Sequence, residues 1–222
     1  MTSSTPYPQV FLDANALVKV AYSISHHHRD PKGRKSALRF FMEQGVLVFS
    51  TGVQQLIKTI ELIEEGEAET LGFTLDASGR VKVIVELLAA TRGPSPLIRV
   101  ITTSDLEALD ECRRRFHERL SQSWAGIVDW DEEDMLMIRE ASLAYARYGL
   151  VKTTRGVYRP RPMILASDDR QVQAAAGRLD EGLKDAALST TCIEPLASQY
   201  SNPILHVISY EHLKRLVQEY TS

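Results

Sequence analysis

Carboxylates at the ends of apolar runs are the residues of this chain whose types and spacing could do chemistry. Val10-Phe11-Leu12 stops at Asp13, and Asn15 follows as a helical apolar pattern begins. Met163-Ile164-Leu165-Ala166 stops in the same way at Ser167-Asp168-Asp169. A third acid, Asp134, precedes Ile138, Ala141, Tyr145 and Tyr148 at steps of three and four, in line with the buried face of a helix. Glu132 and Glu133 fall off that line. A buried carboxylate needs a partner. For Asp134 alone, a helix cap is the simpler reading. Asp13, Asp134 and Asp168 together form a plausible oxygen-ligand set for Mg²⁺ or Mn²⁺, with Asp169 as a neighbour. A water on such an ion becomes a nucleophile, and the ion offsets charge developing on a phosphate.

The elements that must position these acids are strands alternating with helices. Val10 to Leu12, Val46 to Phe49, Leu97 to Ile101, Met163 to Ala166 and Ile204 to Ile208 read as short strands. Helices are expected over Asn15 to Tyr22, Ser36 to Gln44, and from Val53 to Glu65, the last capped by Ser50 or Thr51. Residues 67 to 96 read as a hairpin or as a helix capped by Ser78, and the stop at Pro94 and Pro96 favours the helix. Further helices are expected from Ser104 through Arg119, from Asp131 to Tyr148 (the longest, closed by Gly149), from Gln171 to Arg178, and from Tyr210 to Tyr220. This alternation implies α/β architecture with a central, mostly parallel sheet of four to five strands between helical layers. Acids at strand C-termini then share the edge where open α/β sheets build sites. Residues 1 to 8 read as a flexible polar lead, and 9 to 222 as one domain with extra length near 64 to 96, 150 to 161 and 180 to 203.

Composition narrows the classes. The formal net charge is −3 over 222 residues, which excludes a uniformly basic nucleic-acid coat but not a local basic groove. No apolar run approaches the ~20 residues of a membrane span. The start lacks the pattern of a signal peptide. Cys112 and Cys192 lack CxxC spacing and read as two free thiols in a reducing cytoplasm. Two basic segments could grip a phosphate backbone: the loop with Arg29, Lys32, Arg34 and Lys35, and the loop with Lys152, Arg155, Arg159 and Arg161. His26-His27-His28 reads as part of a solvated loop, Arg113-Arg114-Arg115 as a solvated helix face, and Trp124 and Trp130 as core anchors. No P-loop, dinucleotide-binding glycine pattern or nucleophile elbow is present.

The order Leu12-Asp13-Ala14-Asn15-Ala16-Leu17, then Asp134-Met135-Leu136-Met137-Ile138-Arg139-Glu140-Ala141, then Ile164-Leu165-Ala166-Ser167-Asp168 resembles the PIN domain, from about Val10 to Ile208. That resemblance implies a parallel sheet flanked by helices and a Mg²⁺- or Mn²⁺-dependent endoribonuclease, as in the toxins of toxin–antitoxin pairs. It places Asp13, Asp134 and Asp168 at the metal-site positions and Asn15 at the polar position after the first acid. It also implies RNA, less readily DNA, as substrate, with an antitoxin or a second copy as possible partners and no membrane. One position departs. The family carries Glu early in the helix after the second strand, and here the matching residue is Gln55, which offers an oxygen without charge. The alternative is therefore a catalytically weak nucleic-acid-binding or scaffold module of the same fold. A phosphatase resembling the haloacid dehalogenases, with Asp13 as covalent nucleophile, ranks lower, because that chemistry wants an acid where Asn15 stands.

Overall fold

The computed structural model describes residues 9–25, 37–45, 47–66, 75–194 and 203–221. Five strands form one wholly parallel sheet: β1 (Gln9–Leu12), β2 (Val48–Gly52), β3 (Ile98–Ile101), β6 (Met163–Ala166) and β7 (Leu205–Ile208), in the order β3-β2-β1-β6-β7. A two-stranded antiparallel hairpin, β4 (Leu150–Lys152) and β5 (Tyr158–Pro160), stands beside it. β6 and, after Gln9, β1 at the centre of the sheet are continuous apolar runs because both faces are covered. Val10, Leu12, Ile164 and Ala166 point into one core with α1 (Ala14–Ile24), α2 (Ala37–Glu43), α3 (Val53–Glu65), α4 (Ala77–Ala90) and α10 (Tyr210–Thr221). Phe11, Met163 and Leu165 point into a second core. There they meet α6 (Glu111–Ala125), α7 (Glu132–Ala144), α8 (Arg170–Ala174) and α9 (Ala176–Leu188). The short α5 (Thr103–Glu107) links β3 to α6. The expected three-layer α/β/α fold is the fold observed.

Strand order reverses between β1 and β6, which pair in register from Gln9↔Met163 to Leu12↔Ala166. The chain runs outward from β1 through β2 to β3, and from β6 to β7 on the other side. Helices leaving β1 and β6 therefore depart to opposite faces and open a crevice above the strand C-termini. Asp13 and Ser167 are the first residues beyond that paired edge.

Several local expectations are corrected. Ser50 and Thr51 do not cap α3; both lie in β2, and the N-cap is Gly52, which has no side chain to offer. Asp76 rather than Ser78 caps α4, accepting from the Gly79 amide at 2.7 Å. The helix expected from Ser104 is broken into α5, opened by a Thr102–Asp105 capping box, and α6, capped by Asp110. The helix expected from Asp131 to Tyr148 is present as α7 running without a break into a π-helical turn at Tyr145–Gly149. The helix expected to stop at Arg178 restarts after Ala175 and runs to Leu188, across a stretch expected to be irregular. The basic loop at 150–161 is the β4–β5 hairpin.

The cysteines are not free thiols. Cys112, near the start of α6, and Cys192, beyond α9, form a disulfide with Cα atoms 6.1 Å apart, although 80 residues separate them. Packing of α6 on α9 brings the two positions together, a relation that sequence distance hides. Trp124 and Trp130 are core anchors as expected: both are buried, and their indole N–H groups donate to the carbonyls of Leu179 and Trp124. Arg115 pairs with Glu111 at 2.7 Å on an exposed helix face, also as expected. Among the described residues, no helix is long and apolar enough to cross a membrane.

Candidate functional site

Asp13 serves the backbone before any ligand. It sits between β1 and α1 with extended dihedrals, and its amide continues the sheet ladder to the Ala166 carbonyl at 3.1 Å. Its Oδ1 accepts from the Ala16 amide at 2.7 Å, satisfying an open donor of the first turn of α1. The side chain is buried, and burial pushes its carboxyl up to about 7. Hydrogen bonds from Ser167 and Ala16 oppose that rise, while the charges of Asp168 and Asp169 add to it.

Ser167 is the hinge of the cluster. It is fully buried, accepts on Oγ from the Asp169 amide at 3.1 Å, and its hydroxyl acts to lower the Asp13 carboxyl. Asp169 caps α8 by accepting on Oδ1 from the amides of Gln171 (2.6 Å) and Val172 (3.1 Å). The side-chain hydrogen bonds Asp169 makes to described residues both fall on that one oxygen.

Asp134 reaches the same edge from α7. It is half-buried while Glu132 and Glu133 are exposed, as the helical spacing predicts. It is not the cap: Asp131 holds that position and accepts from the Asp134 amide at 2.8 Å. Burial first, then the charges of Asp131 and Asp169, raise the Asp134 carboxyl above the usual range; Lys58 acts the other way. Asp169 therefore lies within electrostatic reach of both Asp13 and Asp134.

Asp168 is spent on structure. Its Oδ2 pairs with Lys19 of α1 at 2.9 Å, and its Oδ1 accepts from the Tyr210 amide at 3.1 Å, capping α10 from another strand. Lys19 also lies 5.9 Å from the centre of the Tyr210 ring, and the Tyr210 hydroxyl bonds Ser23. Asn15 is exposed on the first turn of α1. Among the described residues, no three acidic, imidazole or thiol groups stand close enough together to form a ready metal cage.

Gln55, where the resemblance expects an acid, is buried and structural. Its Oε1 accepts from the Ala14 amide at 3.1 Å, one residue beyond Asp13. The nearest added carboxylate comes from an unexpected direction: Glu140 of α7 lies over the open N-terminus of α3. Its Oε1 accepts from the Gln54 amide at 2.9 Å, while its Oε2 is buried without a hydrogen-bond partner among the described residues. This explains the bare N-cap. A Cβ on Gly52 would come within 1.8 Å of Glu140 Oε2, so Gly52 makes room for a carboxylate supplied in trans. Burial nonetheless keeps the Glu140 carboxyl above its ordinary range. A sequence signal for this pairing did exist, a helix start preceded by glycine with no capping side chain, but it did not name the donor.

The basic segments divide. Arg29, Lys32, Arg34 and Lys35 lie outside the described residues, as do the three histidines. Arg155 occupies the turn of the β4–β5 hairpin and is exposed. Arg159 pairs with Glu194 at 2.7 Å. That hairpin meets the sheet at the entry to β6, where the Arg161 amide donates to Gly149 and the Gln9 side chain to Tyr148. The acids lie at the exit of β6, so the structure does not bring Arg155 and Arg159 to them. Among the described residues, Lys19 and Lys58 are cations that stand beside the acids, and neither is marked by the sequence pattern.

Hard oxygen donors from three separate elements suit a divalent cation. Burial first, and then neighbouring negative charge, raises both Asp13 and Asp134, and a bound cation would favour their charged forms. Comparison with family models, with curated proteins and with solved structures finds no match for this chain.

Proposed function

We propose that this chain is a PIN-like, divalent-metal-dependent nuclease, with RNA as its first-choice substrate. What supports the reading is the placement of Asp13 after β1 and Asp169 after β6 at the strand-order reversal, with Asp134 of α7 within electrostatic reach of Asp169. Asp13, Asp134 and Asp169 would hold Mg²⁺ or Mn²⁺, and Asp168 sets the end of β6 through Lys19 and α10. A bound ion supplies Lewis acidity, making water a better nucleophile and offsetting charge on a phosphodiester. The protein's own groups prepare that chemistry. Ser167 holds the Asp169 amide at the end of β6, and Gln55 pins the β1–α1 junction. The first turns of α1 and α8 place positive dipole ends at the edge, where they favour anions.

The test is incubation of the purified protein with labelled single-stranded and structured RNA and DNA, in Mn²⁺, Mg²⁺ or EDTA, beside Asp13→Asn. Metal-dependent cleavage of RNA that disappears in Asp13→Asn is the expected result. Full activity in Asp13→Asn, or in EDTA, refutes the assignment.

A second reading has its own support. Asp13 and Asp169 are helix caps, Asp168 is a salt-bridged cap, and Gln55 is neutral, so a fold-preserving binding module accounts for the same side chains. Calorimetry separates the two: heat of Mn²⁺ binding at millimolar concentration supports the nuclease, and none supports the module. The cytoplasmic placement expected from free thiols loses its premise with the Cys112–Cys192 bond, since disulfides persist mainly in oxidising compartments.

A further inference from the structure

We propose that the cleft between α3 and α7 receives one nucleobase of a single-stranded substrate, beside the acid cluster; this deepens and rests on the nuclease reading. The cleft has a volume of about 200 Å³ and is lined from α3 by Gln54, Gln55, Ile57 and Lys58, and from α7 by Glu133 and Leu136. Drug-sized ligands occupy about 300–1,000 Å³, so this space suits a single ring system.

Its chemistry selects the occupant. Ile57 and Leu136, one from each helix, are left 45% and 36% exposed, giving aliphatic surface to a planar ring. Lys58 pairs with Glu133 across the cleft, so among the described residues that line it the one cation is already matched. Glu61 adds a further negative charge, which makes the cleft a poor seat for phosphate. The polar groups that remain are carboxamides. Gln55 is committed to Ala14, whereas the Gln54 side chain is exposed and can both donate and accept, as the edge of a heterocycle requires.

Its position completes the case. Gln55, which lines the cleft, bonds the residue after Asp13, and Glu133 precedes Asp134 on the same helical turn. Lys58 acts electrostatically on Asp134. A nucleotide whose base enters between α3 and α7 therefore places its phosphate toward the acids. The cleft, not the distant hairpin, then sets base preference next to the cut.

The test measures binding rather than cleavage. Fluorescein-labelled RNA hexamers of adenosine and of uridine, and an abasic ribose-phosphate hexamer, are titrated by anisotropy with EDTA and with Mg²⁺. The proteins are wild type, Ile57→Ser, Leu136→Ser, Gln54→Ala and Asp13→Asn. Base-bearing hexamers are expected to bind roughly tenfold tighter than the abasic one, in the range of single-base contacts. Ile57→Ser and Leu136→Ser should erase that advantage while melting with wild type, and Gln54→Ala should change the adenosine-to-uridine ratio. Equal binding of abasic and base-bearing hexamers overturns the proposal, as does an advantage that survives both serine substitutions. If the base advantage persists but no metal-dependent cleavage occurs, the nuclease reading falls and the cleft stands. If cleavage occurs but base preference ignores Ile57 and Leu136, the cleft falls and the nuclease stands.

Discussion

Asp13→Asn should stabilise the metal-free protein at alkaline pH, and the effect should vanish in acid. Burial lifts the Asp13 carboxyl from 3.8 to about 7 in the folded chain. Between those values the folded state holds a proton that the unfolded state has released, so stability falls as pH rises. The loss begins near the unfolded value and is complete above the folded one. Each pKa unit corresponds to about 1.36 kcal/mol, so the charged carboxylate costs on the order of 4 kcal/mol above neutrality. Asparagine keeps the cap on the Ala16 amide, since Asn and Asp are equivalent N-caps. It removes the charge that burial, Asp168 and Asp169 oppose. For a chain of this size each kcal/mol moves the midpoint by about 2–4 °C, so the variant should melt roughly 10 °C above wild type at alkaline pH. The assay is thermal unfolding by circular dichroism in EDTA, in steps from pH 4 to 9. A variant less stable than wild type at pH 8, or a gap that does not change with pH, refutes the reasoning.

Further outcomes follow from the same contacts. Millimolar Mn²⁺ should raise the melting temperature of wild type at pH 8 and leave Asp13→Asn nearly unmoved, as read by the same melts. Asp168→Asn should lose about 1–3 kcal/mol of stability in urea titrations, because the Lys19 pair weakens; Asp169→Asn should keep its cap and stability but lose cleavage. Gly52→Ala and Glu140→Ala should each cost about 1–3 kcal/mol, and the double variant little more than either, because the new Cβ expels the same carboxylate from α3; additive losses in the cycle count against the trans cap. Reducing the Cys112–Cys192 bond should lower stability by about 4–5 kcal/mol, since it closes 80 residues of chain; an unchanged melt in dithiothreitol contradicts it.

The elements and the acids were legible because they obey local rules. Val10-Phe11-Leu12 and Met163-Ile164-Leu165-Ala166 are continuous apolar runs, as strands covered on both faces must be, and Asp13 and Asp169 are short acids where helices start. The spacing from Asp134 to Ala141 correctly marked a half-buried acid on a helix. What the tertiary structure decided involves partners far apart in the chain. Gly52 gives no hint that Glu140, 88 positions on, closes α3, because a carboxylate can cap a helix from any element packed against its start. Asp168 and Asp169 are identical as letters, yet one turns to Lys19 and α10 and the other to α8, a division set by the ends of β6 and β7. The Cys112–Cys192 bond depends on α6 packing against α9, and the distance of Arg155 from the acids on which end of β6 the hairpin joins. Local backbone chemistry repeats over a few residues and can be read along the chain; electrostatic and covalent pairing depends on three-dimensional distance, which only the packed sheet and its helices supply.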